Sequence, residues 1–167
     1  MAKTKAKTKQ RLRGPFLAGA FFCEKHLEEK DDLPSFIRVM DIVTVEKPQP
    51  IPAVPGQPVL TSAVELILVL MIKAGDVTGS VSLRLDTVFP SGKRKKSSEQ
   101  EVQLLGGASG ATLRGSFPHP VDEEGLYWHE FRIDRRLLTR IPLTVEYQRH
   151  AKPADSPPPS PGPKGKA

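Results

Sequence analysis

TRIPLTVEYQ, residues 139–148, decides the fold. Ile141, Leu143, Val145 and Tyr147 alternate strictly with Pro142, Thr144, Glu146 and Gln148. A period of two is the mark of a β-strand that buries one face, because successive side chains point to opposite sides of the pleat. Proline has no N–H to give to a ladder, so Pro142 places this last strand at an edge or a bulge.

The same period recurs upstream. In LYWHEFRID (126–134), Tyr127, His129, Phe131 and Ile133 share one face, while Trp128, Glu130 and Arg132 take the other. In VSLRLDTVF (81–89), Val81, Leu83 and Leu85 alternate with Ser82, Arg84 and Asp86. FLAGAFFC (16–23) and SAVELILVLMIK (62–73) are more continuously apolar, as strands covered on both faces or central in a sheet are. Turn residues fall between the runs: Ala74-Gly75-Asp76, Pro90-Ser91-Gly92-Lys93, Gly106-Gly107 and Glu124-Gly125. The pattern predicts about eight strands, near 16–23, 36–46, 62–73, 78–89, 97–105, 111–117, 125–133 and 139–148. The expected fold is all-β, an antiparallel two-sheet β-sandwich, with the proline-rich link KPQPIPAVPGQP (47–58) passing from one sheet to the other. Short helical turns are expected only near 24–30 and at Arg135–Leu138.

The chain of 167 residues is long enough for one domain. Its net charge of +6 is unevenly placed. Residues 1–13 carry +6 through Lys3, Lys5, Lys7, Lys9, Arg11 and Arg13, and the stretch after Gln148 adds +3, which leaves −3 for residues 14–148. The basic segment has almost nothing apolar to bury, and KPADSPPPSPGPKGKA (152–167) is dominated by proline. The expected organisation is a disordered basic tail at 1–14, a sandwich at 15–149 and a disordered proline-rich tail at 150–167.

One cysteine, Cys23, excludes an internal disulfide and any cysteine-cluster zinc site. At the end of FLAGAFFC it reads as a small buried thiol. The longest apolar run, LILVLMI (66–72), is far short of the roughly 20 residues that cross a bilayer as a helix. No membrane insertion is expected, and a cytoplasmic location is.

No catalytic, cofactor-binding or metal-binding residues are assigned. Gly106–Gly110 lacks the Lys-Ser/Thr of a phosphate loop, and no serine–histidine–aspartate order can be built. His119 and His129, with Asp122, Glu123 and Glu124 in the turn between them, are the one group of metal-compatible types, in a spacing that does not specify convergence. The run Lys93-Arg94-Lys95-Lys96 at a turn reads either as a solvated loop or as an anion contact, as do the cations of residues 3–13. Trp128 lies opposite the other aromatic residues of its strand, either buried on a second face or presented to a partner.

The order of segments resembles a family of small bacterial proteins catalogued as a domain of unknown function. The resemblance rests on Phe21-Phe22-Cys23-Glu24, on FIRVMDIVTVEK (36–47), on VSLRLDTVFPSGK (81–93), on Gly125-Leu126-Tyr127-Trp128 and on Ile141-Pro142-Leu143. It spans roughly residues 16–148 and implies an immunoglobulin-like sandwich, a bacterial origin and no catalytic residues. The function expected from all of this is a non-enzymatic module that binds another protein, with Trp128, Thr144 and Glu146 as the partner face. The alternatives are a nucleic-acid-associated protein acting through residues 3–13 and Lys93–Lys96, and a metal- or sugar-binding sandwich.

Overall fold

The computed structural model describes residues 13–31, 33–48, 62–97 and 99–149. The expectations for residues 1–12, for the proline-rich link from 49 on and for 150–167 lie outside the described residues. Among the described residues there are eight strands: β1 (Phe16–Glu28), β2 (Pro34–Met40), β3 (Ile42–Val45), β4 (Ala63–Val88), β5 (Arg94–Lys96), β6 (Gln100–Pro120), β7 (Gly125–Ile133) and β8 (Arg136–Tyr147).

Two of these run through both layers of the molecule. The first half of β4 pairs with β1 on one side and with residues 110–120 of β6 on the other, and β2 completes this layer beyond β1. The second half of β4 pairs with residues 100–105 of β6 and with β7, after which come β8 and β3. We call these sheet I and sheet II. The two expected strands at 62–73 and 78–89 are therefore one strand of 26 residues, and those at 97–105 and 111–117 are one of 21. The turn residues between them bend a strand instead of ending it. Gly75 sits at φ +60°, and a Cβ there would lie 2.6 Å from the Phe16 ring, so only glycine fits the bend.

The expected strand 36–46 divides at Asp41. β2 pairs with β1 in sheet I, and β3 crosses to sheet II to pair with β8. That last pairing is parallel, an exception to the antiparallel expectation. The expected helical turns are absent among the described residues. Residues 24–28 extend β1 against β2, where cross-strand pairing overrides local propensity. Asp134 and Arg135 form a two-residue hairpin turn with φ of 45° and 70°, the left-handed values such turns require.

The core lies between the layers. Phe22 and Leu70 of sheet I meet Tyr127, Leu143 and Val145 of sheet II, all essentially without solvent contact. Each such side chain contributes about 1.5–3 kcal/mol of burial free energy. The Tyr127 hydroxyl donates to the Glu123 carbonyl at 2.9 Å and accepts from the Glu123 N–H at 3.0 Å, a tyrosine corner at the start of the penultimate strand. The protein is an all-β two-sheet sandwich.

β8 is not an edge strand, since it lies between β7 and β3, and no bulge falls at Pro142; the proline instead stands ahead of the β3 pairing. The Thr144 N–H reaches the Asp41 carbonyl at 2.8 Å, so even-numbered N–H groups of β8 face β3. β3 begins opposite Thr144, two residues further on. The donor that proline lacks would point where no β3 residue pairs.

Candidate functional site

Register alone assembles a continuous outer face on sheet II. Across the sheet, Val88 of β4 stands beside Trp128 of β7, which stands beside Pro142 of β8, with Arg94 of β5 beside Val88. The next row holds Lys96, Asp86, Glu130 and Arg140. Beyond it Arg84 pairs with Arg132. On the other side of Trp128 lie Leu126, Thr144 and Ile42, then Glu146 beside Thr44. Rows on one face are separated by two residues, roughly 7 Å.

Trp128 is 39% exposed at the middle of this face. β7 is flanked by β4 and β8, so the strand is central, yet its outer face stays open to solvent around the indole. Exposed Leu126 and Ile42 extend the apolar area to one side.

On the other side, charged groups are fixed by pairing. Glu130 is 1% exposed, and its carboxylate takes Arg94 through two hydrogen bonds of 2.9 and 3.2 Å. Arg132 adds a contact at 2.8 Å and Arg140 one at 2.9 Å. Arg94 beside it, helped by Arg132 and Arg140 and opposed by burial, holds the Glu130 carboxyl down at about 2. Asp86, also buried, pairs with Arg84 at 2.9 Å and with Arg132 at 3.4 Å. Three guanidinium groups thus converge on one sunken carboxylate and a fourth is held by its neighbour. Arg94 and Arg140 keep about half of their side-chain surface in water.

The sequence-derived residues distribute as follows. Trp128, Thr144 and Glu146 share the face at their register positions, joined by Arg94 and Lys96 of β5. The edge that an added strand would need at Thr144 and Glu146 is occupied by β3. Lys93 through Lys96 do not act as one block, because Arg94 is bound to Glu130 and the Lys93 ammonium lies 5.6 Å from the Phe89 ring centre. Arg13 is exposed; Lys3, Lys5, Lys7, Lys9 and Arg11 lie outside the described residues. Glu130, Arg132 and Arg140 were not singled out by sequence reasoning. The available signal was their outward parity beside Trp128, but the pairing of Glu130 with Arg94, 36 residues away, requires the register.

The histidines tell a different story. His119 of β6 and His129 of β7 are wholly buried, and their Nε2 atoms meet at 3.1 Å across the two layers. One ring must donate and the other accept, so the contact requires at least one neutral ring. Thr87 shares a hydrogen bond of 3.3 Å with His129 Nδ1. Burial lowers His119 to about 4, partly opposed by the Pro120 backbone; burial and the neighbouring His119 lower His129 to about 3. Glu123 is instead bound to the Ser91 N–H and hydroxyl at 2.8 and 2.9 Å. Among the described residues no three His, Cys, Asp or Glu converge to hold a metal ion. Cys23 is buried, and burial raises its thiol pKa. Among the described residues no helix is long and apolar enough to cross a membrane.

No family model and no curated protein matches this chain. Among solved structures, an immunoglobulin-like protein from Pseudomonas aeruginosa aligns with 82% of this chain and 100% of its own, at 16% identity and a TM-score of 0.41. The CARDB domain of a Pyrococcus furiosus protein, solved in complex with di-metal ions, aligns with 84% of this chain and 100% of its own, at 14% identity and a TM-score of 0.41.

Proposed function

We propose that this protein is a non-enzymatic interaction module that recognises another protein through the outer face of sheet II. The observation that carries the reading is Trp128, held in the open between Val88 and Pro142 and bordered by arginines that buried carboxylates keep in place. Tryptophan and arginine are the side chains most enriched among interface residues that dominate binding energy. The arginines are held by Glu130 before a partner arrives, which lowers the entropy lost on association. In this reading the cations of residues 3–13 add a salt-sensitive attraction without specificity.

The test is affinity capture on the full chain compared with Trp128→Ala, followed by titration with the captured protein once purified. A central tryptophan contributes about 2 kcal/mol or more, so the variant should bind at least about 30-fold more weakly. A partner that binds both forms equally would show that the contact lies elsewhere.

A further inference from the structure

We infer that the segment this face receives is acidic: a stretch of partner chain with a carboxylate side chain about two residues from an apolar one. The inference rests on the face being the binding surface and adds the chemistry of what it binds.

The charges on the face are opposite in sign to those of the domain that carries it. Residues 14–148 sum to −3. The two charged rows hold four cations, Arg84, Lys96, Arg132 and Arg140, joined by the Arg94 guanidinium that reaches Glu130 from the Trp128 row, against Asp86 and Glu130, with Glu99 reaching Arg84 at 3.5 Å from the side. Positive charge has been gathered here by the register of three strands and the short β5, while the rest of the domain carries the excess acid.

Depth sharpens the effect. Both anions of the rows are buried, at 3% and 1% exposure, whereas Arg94 and Arg140 are about half exposed and Lys96 is exposed. A ligand at the surface therefore meets guanidinium and ammonium groups first. Glu130 does not consume them: one carboxylate is divided among three guanidinium groups, each of which has five N–H donors. Arg140 spends one nitrogen on Glu130, and Lys96 forms no ion pair among the described residues. These remaining donors match a carboxylate that approaches from solvent.

Position then links charge to the apolar area. The cationic row lies one row from Trp128, roughly 7 Å, which equals the distance between positions i and i+2 of an extended chain. A partner strand or loop that seats an apolar side chain on Trp128, Leu126 and Pro142 places the side chain two residues along over Arg140 and the Arg94 guanidinium, which reaches into that row to pair with Glu130. A polynucleotide fits less well. The face holds one tryptophan and no row of aromatic groups for successive bases, and the excess of one cation left once Glu99 and the exposed Glu146 are counted is small for tracking a phosphate backbone.

The experiment is selection from a displayed library of random 12-residue peptides on the full chain, followed by titration of synthesised winners. A random-sequence single-stranded 20-nucleotide DNA is titrated in parallel. The variants are Trp128→Ala, Arg140→Gln and Lys96→Glu. The last alters an exposed lysine, and all are checked by thermal unfolding. The expected winners carry Asp or Glu two positions from an aliphatic or aromatic residue. They weaken at least tenfold with Trp128→Ala, several-fold with Arg140→Gln or Lys96→Glu, and several-fold between low and physiological salt. Winners that need Trp128 but show no acidic bias, and ignore salt and both charge variants, would overturn the acidic inference and leave the face standing. Winners indifferent to Trp128→Ala, or a selection that enriches nothing, would overturn the face as well. DNA binding that exceeds peptide binding and falls with Lys96→Glu would also overturn the inference.

Discussion

Lowering the pH from 7.5 to 5 should cost this domain about 4 kcal/mol through two side chains alone. His119 and His129 are buried against each other between the sheets, and burial holds them at about 4 and about 3 when folded. In the unfolded chain both return to about 6.5. For a base whose folded pKa is depressed, the unfolded state binds more protons through this window. Stability is therefore complete above about 6.5 and falls as the pH drops. At pH 5 each unfolded histidine lies about 1.5 pH units below its pKa, which favours unfolding by about 2 kcal/mol per ring at 1.36 kcal/mol per unit. Both folded values lie below 5, so the loss at that pH depends little on where they fall. Glu130 does not confuse the result, because its stabilisation is lost only as the pH falls from about 4.5 toward 2. Against the 5–15 kcal/mol that holds a typical domain together, 4 is a large fraction. Urea unfolding followed by circular dichroism at both pH values measures it, with His119→Gln/His129→Gln as control. The wild type should lose most of that energy and the double variant little. A wild-type loss below about 1 kcal/mol, or an equal loss in the double variant, would refute the argument.

Glu130→Gln should destabilise the domain by about 2 kcal/mol, less than for a fully buried ion pair because Arg94 and Arg140 remain half in water. Differential scanning calorimetry at pH 7 should show a melting point lower by about 4–8 °C. Thr144→Pro removes the N–H bound to the Asp41 carbonyl at 2.8 Å and disrupts the β3–β8 pairing, at a cost of about 3 kcal/mol. Its urea midpoint should drop accordingly, and an unchanged midpoint would show that β3 contributes little.

How much of the fold is legible in the sequence depends on the range of the contacts involved. Alternation in 81–89, 126–134 and 139–148 assigns each side chain to an inner or outer face, because the pleat has a period of two whatever the neighbours are. It placed Tyr127, Phe131, Leu143 and Val145 in the core and set Trp128 opposite them. Apolar context put Cys23 inside; the rule that proline cannot donate pointed to an edge or a bulge, whereas β8 lies between β7 and β3 and Pro142 merely precedes the β3 pairing.

Local pattern could not tell a bend from a turn. Gly75 and Gly106-Gly107 carry turn chemistry, and only packing against the opposite layer makes them hinges of two continuous strands. Nor could it find partners. That His119 faces His129 follows from residues 110–120 of β6 lying in the layer opposite β7, and that Glu130 gathers Arg94, Arg132 and Arg140 follows from which strands lie side by side. The sequence by itself determined that the chain is built of strands and which way most side chains point, because those properties belong to a single extended segment. The tertiary structure alone decided which outward charges meet and which histidines touch. Those contacts depend on register between segments far apart in the chain, and a shift of two residues would preserve every face while changing every neighbour.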